Sequence, residues 1–130
     1  MEKEYPDILM TLSTGKQDRG TRATLAFSWA CAALAMGEKT TLFMTMDGTV
    51  WATKGAMKGV EVGGFEPLSE YLEQFLALGG ELLVCAPCTE YYCSFDDDDN
   101  EKLTVIKEAK LTGLATIVSL LGKYTKVISF

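Results

Sequence analysis

The chain contains no histidine, and that absence excludes more chemistry than any motif in it suggests. Without an imidazole a single chain cannot assemble a Ser-His-Asp or Cys-His nucleophile, nor an HExxH zinc site. A cysteine nucleophile would have to be activated by backbone dipoles, by a lysine or arginine, or by burial geometry. Positive charge is also scarce: 12 lysines and arginines face 18 aspartates and glutamates, for a net charge of −6. Nothing gathers into a basic stripe, so nucleic acid and anionic membranes are poor partners. A long apolar run is missing too. Residues 23–36 come closest, but Thr24 and Ser28 interrupt them and the stretch is short for a bilayer. The opening MEKEYPDILM has neither the basic start nor the apolar centre of a signal peptide. A cytoplasmic, reducing compartment is therefore expected, with the cysteines as thiols rather than structural disulfides.

What is present suits one globular α/β domain over residues 1–130, with no repeat and no linker. The chain is 48% hydrophobic and 23% charged at 14.2 kDa. Folding at this size buries roughly two thirds of the unfolded surface, enough for a core without covalent staples.

Residues 7–12 (DILMTL) read as a first strand, entering a polar loop, residues 13–20, ahead of a helix. Such a loop could cradle an anion on its amides. However, it lacks the Walker order and GxGxxG, and strand-to-helix loops throughout α/β folds look alike. The helix over residues 21–36 has almost no charged face, which predicts that another helix or another subunit covers its outside. Cys31 within it reads as packing. Residues 40–45 form a second strand, followed by a turn at MDGT and a short helix over 50–57. Lys54 and Lys58 lie one turn apart there. They either face the cysteine site or solvate a surface helix.

Residues 67–78 carry the clearest helical period: Leu68, Tyr71, Leu72, Phe75 and Leu76 make one stripe, with Gly79-Gly80 as the stop. A buried strand ending at Cys85 follows. Beyond it the pattern predicts a fourth strand at 103–106, a helix at 111–121 and a closing strand at 125–129. This alternation is that of a parallel sheet covered on both faces.

Three of the four cysteines fall in ELLVCAPCTEYYC, residues 81–93. The run Leu82-Leu83-Val84 delivers Cys85 to the carboxyl end of a strand, where open parallel sheets gather their ligands. Pro87 suits a first helical turn, which would put Cys85 and Cys88 at a helix start, where amides and dipole favour a thiolate. On this pattern Cys85 is expected to be the most reactive thiol. The plainer reading is that such cysteines are small buried hydrophobes. CxxC also reads as a redox pair, and as a zinc site the cluster is incomplete. Cys93 is a poorer thiolate because Asp96, Asp97, Asp98 and Asp99 follow it and would raise its pKa. That acidic run lacks the ligand spacing of an EF-hand and reads as a solvated loop.

Taken together, the first strand with its loop and RATLAF helix, then MDG, GGFEPLSEYLEQFLALGGELLVCAPC and the closing KVISF resemble the DsrE/DsrF-like sulfur-relay family, with its YchN-like fold. The resemblance implies a three-layer α/β/α sandwich on a mostly parallel five-stranded sheet, and trimers or hexamers. No cofactor or metal is expected. By motif position it makes Cys85 the persulfide-carrying thiol, passing sulfur to a small carrier protein. Cys88 would resolve the persulfide to an internal disulfide or shield it. Two alternatives stand beside this: a redox or metal-binding module using Cys85, Cys88 and Cys93, and a non-catalytic oligomeric binding protein.

Overall fold

A computed structural model describes residues 4–92 and 105–130. Three short apolar runs form the middle of the sheet: β1 (Ile8–Leu12), β2 (Thr40–Met44) and β3 (Glu81–Cys85). Every residue of β2 is buried, the mark of a strand covered on both faces. The edges are β4 (Ala109–Thr112) and β5 (Lys126–Ser129), in the order β4-β3-β2-β1-β5, and every pairing is parallel.

The order of connections decides where the helices go. Right-handed crossovers from β1 to β2 and from β2 to β3 step the same way, so α1 (Thr21–Ala35) and α2 (Leu68–Ala77) lie on one face. They cover Met10, Leu12, Leu42, Met44, Leu82 and Val84. Phe27 of α1 meets Phe75 of α2 edge to face, centroids 5.7 Å apart. The return from β4 to β5 runs the other way, so α4 (Leu114–Ser119) crosses to the opposite face. There Ile117 packs with Leu9, Phe43, Leu83, Cys85 and Cys88. These make the three layers expected from the resemblance, one much thinner than the other.

The helix at 21–36 and the amphipathic helix at 67–78 form as their patterns predict. The outside of the first is covered in part from within the chain, since α2 packs along α1 and Trp29 lies edge to face on Phe130 at 5.4 Å. Three expectations need correction. Instead of a helix over 50–57 there is a 3-10 segment, Met46–Ala52, followed by turns. Gly48 is its tight point: a Cβ there would sit 2.0 Å from the Leu12 carbonyl oxygen, so the segment lies directly against the end of β1.

The fourth strand is not at 103–106. Leu103 and Thr104 lie outside the described residues, and Val105 makes only an isolated antiparallel bridge to Thr53. The strand beside β3 is β4, whose middle residues Lys110 and Leu111 are exposed at the sheet edge. The predicted helix at 111–121 shrinks accordingly, because Leu111 and Thr112 belong to β4 and Gly113 caps α4.

The loop considered as an anion cradle is already occupied by the protein's own carboxylate. Asp18 accepts the amides of Gly20 (3.1 Å) and Arg22 (2.9 Å), with the Arg22 guanidinium 3.6 Å away. Asp18 thus supplies the negative charge that the start of α1 favours.

Candidate functional site: a thiol pair beside the end of the second strand

The register of β2 and β3 builds the site. Met44 pairs with Val84, so Thr45, just past β2, and Cys85, the last residue of β3, lie side by side at the carboxyl edge of the sheet. The chain then turns at once from β3 into α3 (Ala86–Tyr92), with Pro87 in its first turn as the sequence predicts. Cys85 is the last strand residue and Cys88 lies in the first turn of the helix. The Cys85 sulfur accepts the Cys88 backbone amide, a thiol counterpart of an N-cap contact.

The second wall is the Met46–Ala52 segment. Thr45 continues from β2, its amide bonded to the Leu12 carbonyl at 3.0 Å. Met46 then adopts a left-handed backbone, φ 50°, which is uncommon for a side chain of this size. That turn aims the Met46 amide at Cys88 Sγ, 3.2 Å away, while Thr45 Oγ1 lies 3.5 Å from the same sulfur. The segment is anchored along its length. The Trp51 indole donates to the Thr14 carbonyl at 2.8 Å and is buried, and Gln17 donates to Asp47 at 3.2 Å. A cavity of about 300 Å³, open to solvent, is lined by Met46, Pro87, Cys88 and Tyr91.

The two thiols titrate in opposite directions. Burial is the largest influence on Cys85 and pushes its pKa up; the bond with the Cys88 side chain adds to this, and the Cys88 amide and Thr45 only partly offset it. Burial is also the largest single influence on Cys88 and pushes up. Hydrogen bonds from Cys85, Thr45, the Met46 amide and Thr49 together outweigh it, and the net shift is down. In the reduced pair the two shifts make Cys88 the more acidic sulfur and the acceptor of the hydrogen bond from Cys85. Both are free thiols, as is Cys31. The Cys31 thiol faces the Tyr71 carbonyl at 3.3 Å, and burial pushes its pKa up, as packing implies.

The structure therefore brings Cys85 and Cys88 together and adds Thr45, Met46 and Thr49, which the sequence did not single out. The MDG motif was the available signal, but a left-handed methionine has no signature. Lys54 and Lys58 are not part of the site. Lys54 lines a depression with Val105, Ile106, Lys107 and Glu108, and Lys58 lines another with Trp51, Met57 and Leu72. Cys93 and Asp96 to Asp99 lie outside the described residues. Among the described residues no three His, Cys, Asp or Glu side chains converge as a metal site would need, and no helix is long and apolar enough to cross a membrane.

A parallel α/β sandwich with a hydrogen-bonded thiol pair at the carboxyl edge of its sheet is a thiol-bearing α/β domain. Residues 8–130 match the DsrE/DsrF-like family, and the chain belongs to it. The fold is similar to the crystal structure of the ychN protein from E. coli, at a TM-score of 0.68 and 16% identity, covering 95% of this chain and 97% of that one. It is also similar to BT1422 from Bacteroides thetaiotaomicron, a conserved protein of unknown function, at a TM-score of 0.60 and 13% identity, with 95% of each chain covered. In sequence it is 31% identical over 85 residues to the uncharacterized protein MJ0760 of Methanocaldococcus jannaschii, covering 65% of this chain. That match spans 31% of the relative's length.

Proposed function

We propose that this protein is a cytoplasmic sulfur-relay protein that holds sulfane sulfur as a cysteine persulfide on the Cys85–Cys88 pair and passes it to a small carrier protein. The observation that carries this reading is the pair itself. Two reduced thiols share a hydrogen bond, one is held by the Met46 amide, and that one lines a cavity open to solvent. Membership of the DsrE/DsrF-like family supports sulfur relay as the general setting.

The chemistry needs no cofactor. A thiolate of the pair attacks the outer sulfur of a donor persulfide, R–S–SH. The donor S–S bond breaks, R–S⁻ leaves with the electron pair, and the protein becomes Cys–S–SH. An acceptor thiolate reverses the step on its own sulfur. In the absence of histidine, amide and hydroxyl donors supply the stabilisation that an imidazolium would otherwise give.

We place this function in a homo-oligomer, trimer or hexamer. Leu114, Val118 and Leu121 recur along the outer side of α4 and its C-terminal end, and all three are exposed, as is Leu111 on the edge strand β4. An apolar stripe of this kind suits a second copy of the chain better than water.

Glutathione persulfide and intact-mass measurement test the function. The wild type should gain one sulfur atom and surrender it to an added thiol acceptor, and replacing both Cys85 and Cys88 with serine should abolish the gain. A wild type that never gains sulfur overturns the reading. Loss of two hydrogens on mild oxidation, with no sulfur ever carried, would favour the redox alternative, for which the same hydrogen-bonded pair is suited.

A further inference from the structure

The two sulfurs of the pair occupy different surroundings, and the difference assigns them different work. Cys85 is carried on the sheet, 2% exposed, and does not line the cavity. Cys88, one turn into α3, lines it together with Met46, Pro87 and Tyr91, and it alone takes the amide of left-handed Met46. Motif position favours Cys85 as the sulfur-bearing thiol; the geometry favours the other.

Resting on the sulfur-relay reading above, we propose that the roles are divided: Cys88 is the attacking thiolate that takes sulfur from a donor entering over Met46, Pro87 and Tyr91, and Cys85 is the buried resolving thiol behind it. Three observations converge on this. Access is the first, because a donor must bring its outer sulfur to the nucleophile, and Cys88 lines an open cavity whose described lining does not include Cys85. The second is the direction of the fixed donor: the Met46 amide points at Cys88 Sγ, where negative charge develops, and the Thr45 hydroxyl lies 3.5 Å from the same sulfur. The third is the hydrogen bond between the side chains, in which Cys85 stabilises a Cys88 thiolate. The opposite titration of the two sulfurs agrees, with burial holding Cys85 protonated.

Among the described residues the cavity lining contains no lysine or arginine. A persulfide on a low-molecular-weight or protein thiol fits this opening better than a dianionic donor such as thiosulfate, which would enter without a counter-charge.

The division also specifies a second step. Once Cys88–S–SH has formed, its outer sulfur occupies the cavity and its inner sulfur faces Cys85. When an acceptor thiol arrives, it takes the outer sulfur and Cys88 is regenerated. Without one, Cys85 attacks the inner sulfur and a Cys85–Cys88 bond forms. The bond from Cys88 to the outer sulfur breaks, and that sulfur leaves as hydrosulfide, which takes up the proton Cys85 gives up. Two thiols are oxidised and one sulfane sulfur is reduced, so the electrons balance with no further reagent.

Glutathione persulfide is the probe, with intact mass and released sulfide as readouts. Wild-type protein without an acceptor should load sulfur, then release sulfide and lose two hydrogens relative to the reduced chain. Cys85→Ser should load and retain the sulfur, with sulfide release lost. Cys88→Ser should not load. If Cys88→Ser loads and Cys85→Ser does not, the roles are reversed and this inference falls while sulfur relay stands. If the wild type takes no sulfur, sulfur relay itself falls and the inference with it. Should either variant fail to fold, limiting iodoacetamide on the wild type at neutral pH decides by peptide mapping. Cys88 should be labelled before Cys85, and the reverse order overturns the assignment.

Discussion

The backbone amide of Met46 donates to the sulfur of Cys88 across 3.2 Å, and it does so from a left-handed conformation at φ 50°. A non-glycine residue held there stores on the order of 1–3 kcal/mol, which the surrounding structure must overcome. The surroundings do so through neighbours that fix both ends of the turn. Thr45 is bonded to the Leu12 carbonyl, Gly48 rests against the same residue, and Trp51 is bonded to Thr14. The strain thus sits where a fixed donor meets a sulfur, and four predictions follow from this arrangement and from the outer layer.

Substituting Met46 separates the amide from the side chain. Proline has no N–H and cannot adopt a positive φ, so Met46→Pro should destabilise the fold and move the alkylation of Cys88 to higher pH. Glycine tolerates the left-handed region, so Met46→Gly should preserve the pH profile and change stability by no more than about 1 kcal/mol. Iodoacetamide rates against pH and urea midpoints check both. Equal profiles for the two variants would show that the amide does not act on the sulfur.

Thr45→Val removes a hydroxyl donor while keeping a β-branched shape. A neutral hydrogen bond contributes about 0.5–1.5 kcal/mol, so the thiolate fraction of Cys88 at neutral pH should fall a few-fold. The sign follows from the direction of the shift. Hydrogen bonds lower the Cys88 pKa, so losing one raises it and the reaction turns on at higher pH. An unchanged profile would mean the 3.5 Å contact does not stabilise the anion.

Gly48→Ala places a methyl group 2.0 Å from the Leu12 carbonyl oxygen, and the obstacle is backbone that cannot rotate away. Overpacking of this kind costs typically about 1–3 kcal/mol, and the upper end is expected here. Urea unfolding should show a lower midpoint at an unchanged slope. Cys88 should also lose reactivity at neutral pH, because the displaced segment carries Met46. A variant as stable as the parent contradicts the close packing.

Replacing the outer α4 residues tests the assembly. Leu114→Glu with Val118→Lys puts charge on side chains that are 56% and 67% exposed in the single chain, so the protomer itself should keep its fold. Light scattering should find a trimer or hexamer for the parent at micromolar concentration and a monomer for the double variant. A monomeric parent ends the oligomer proposal.

Much of this protein was legible as a string. Strands β1 to β3 and helices α1 and α2 are apolar runs or stripes with glycine or proline at their boundaries, and burial acts on such patterns directly. The position of Cys85 at a strand end and the helix beginning around Pro87 came from the same rules. The fourth strand was misplaced because an edge strand need not be apolar: β4 exposes Lys110 and Leu111, while the β-branched residues just before it looked more strand-like. The Met46–Ala52 segment read as a turn and a helix because its shape comes from contact with Leu12 and Thr14, more than 30 residues earlier in the chain. The local pattern at 85–88 determined that two cysteines would lie close together. Which of them has its pKa lowered was decided only in three dimensions, because Cys85 is joined at Cys88 by Thr45 and the Met46 amide, 43 and 42 residues away, and their placement is set by how β2 and β3 lie in the sheet.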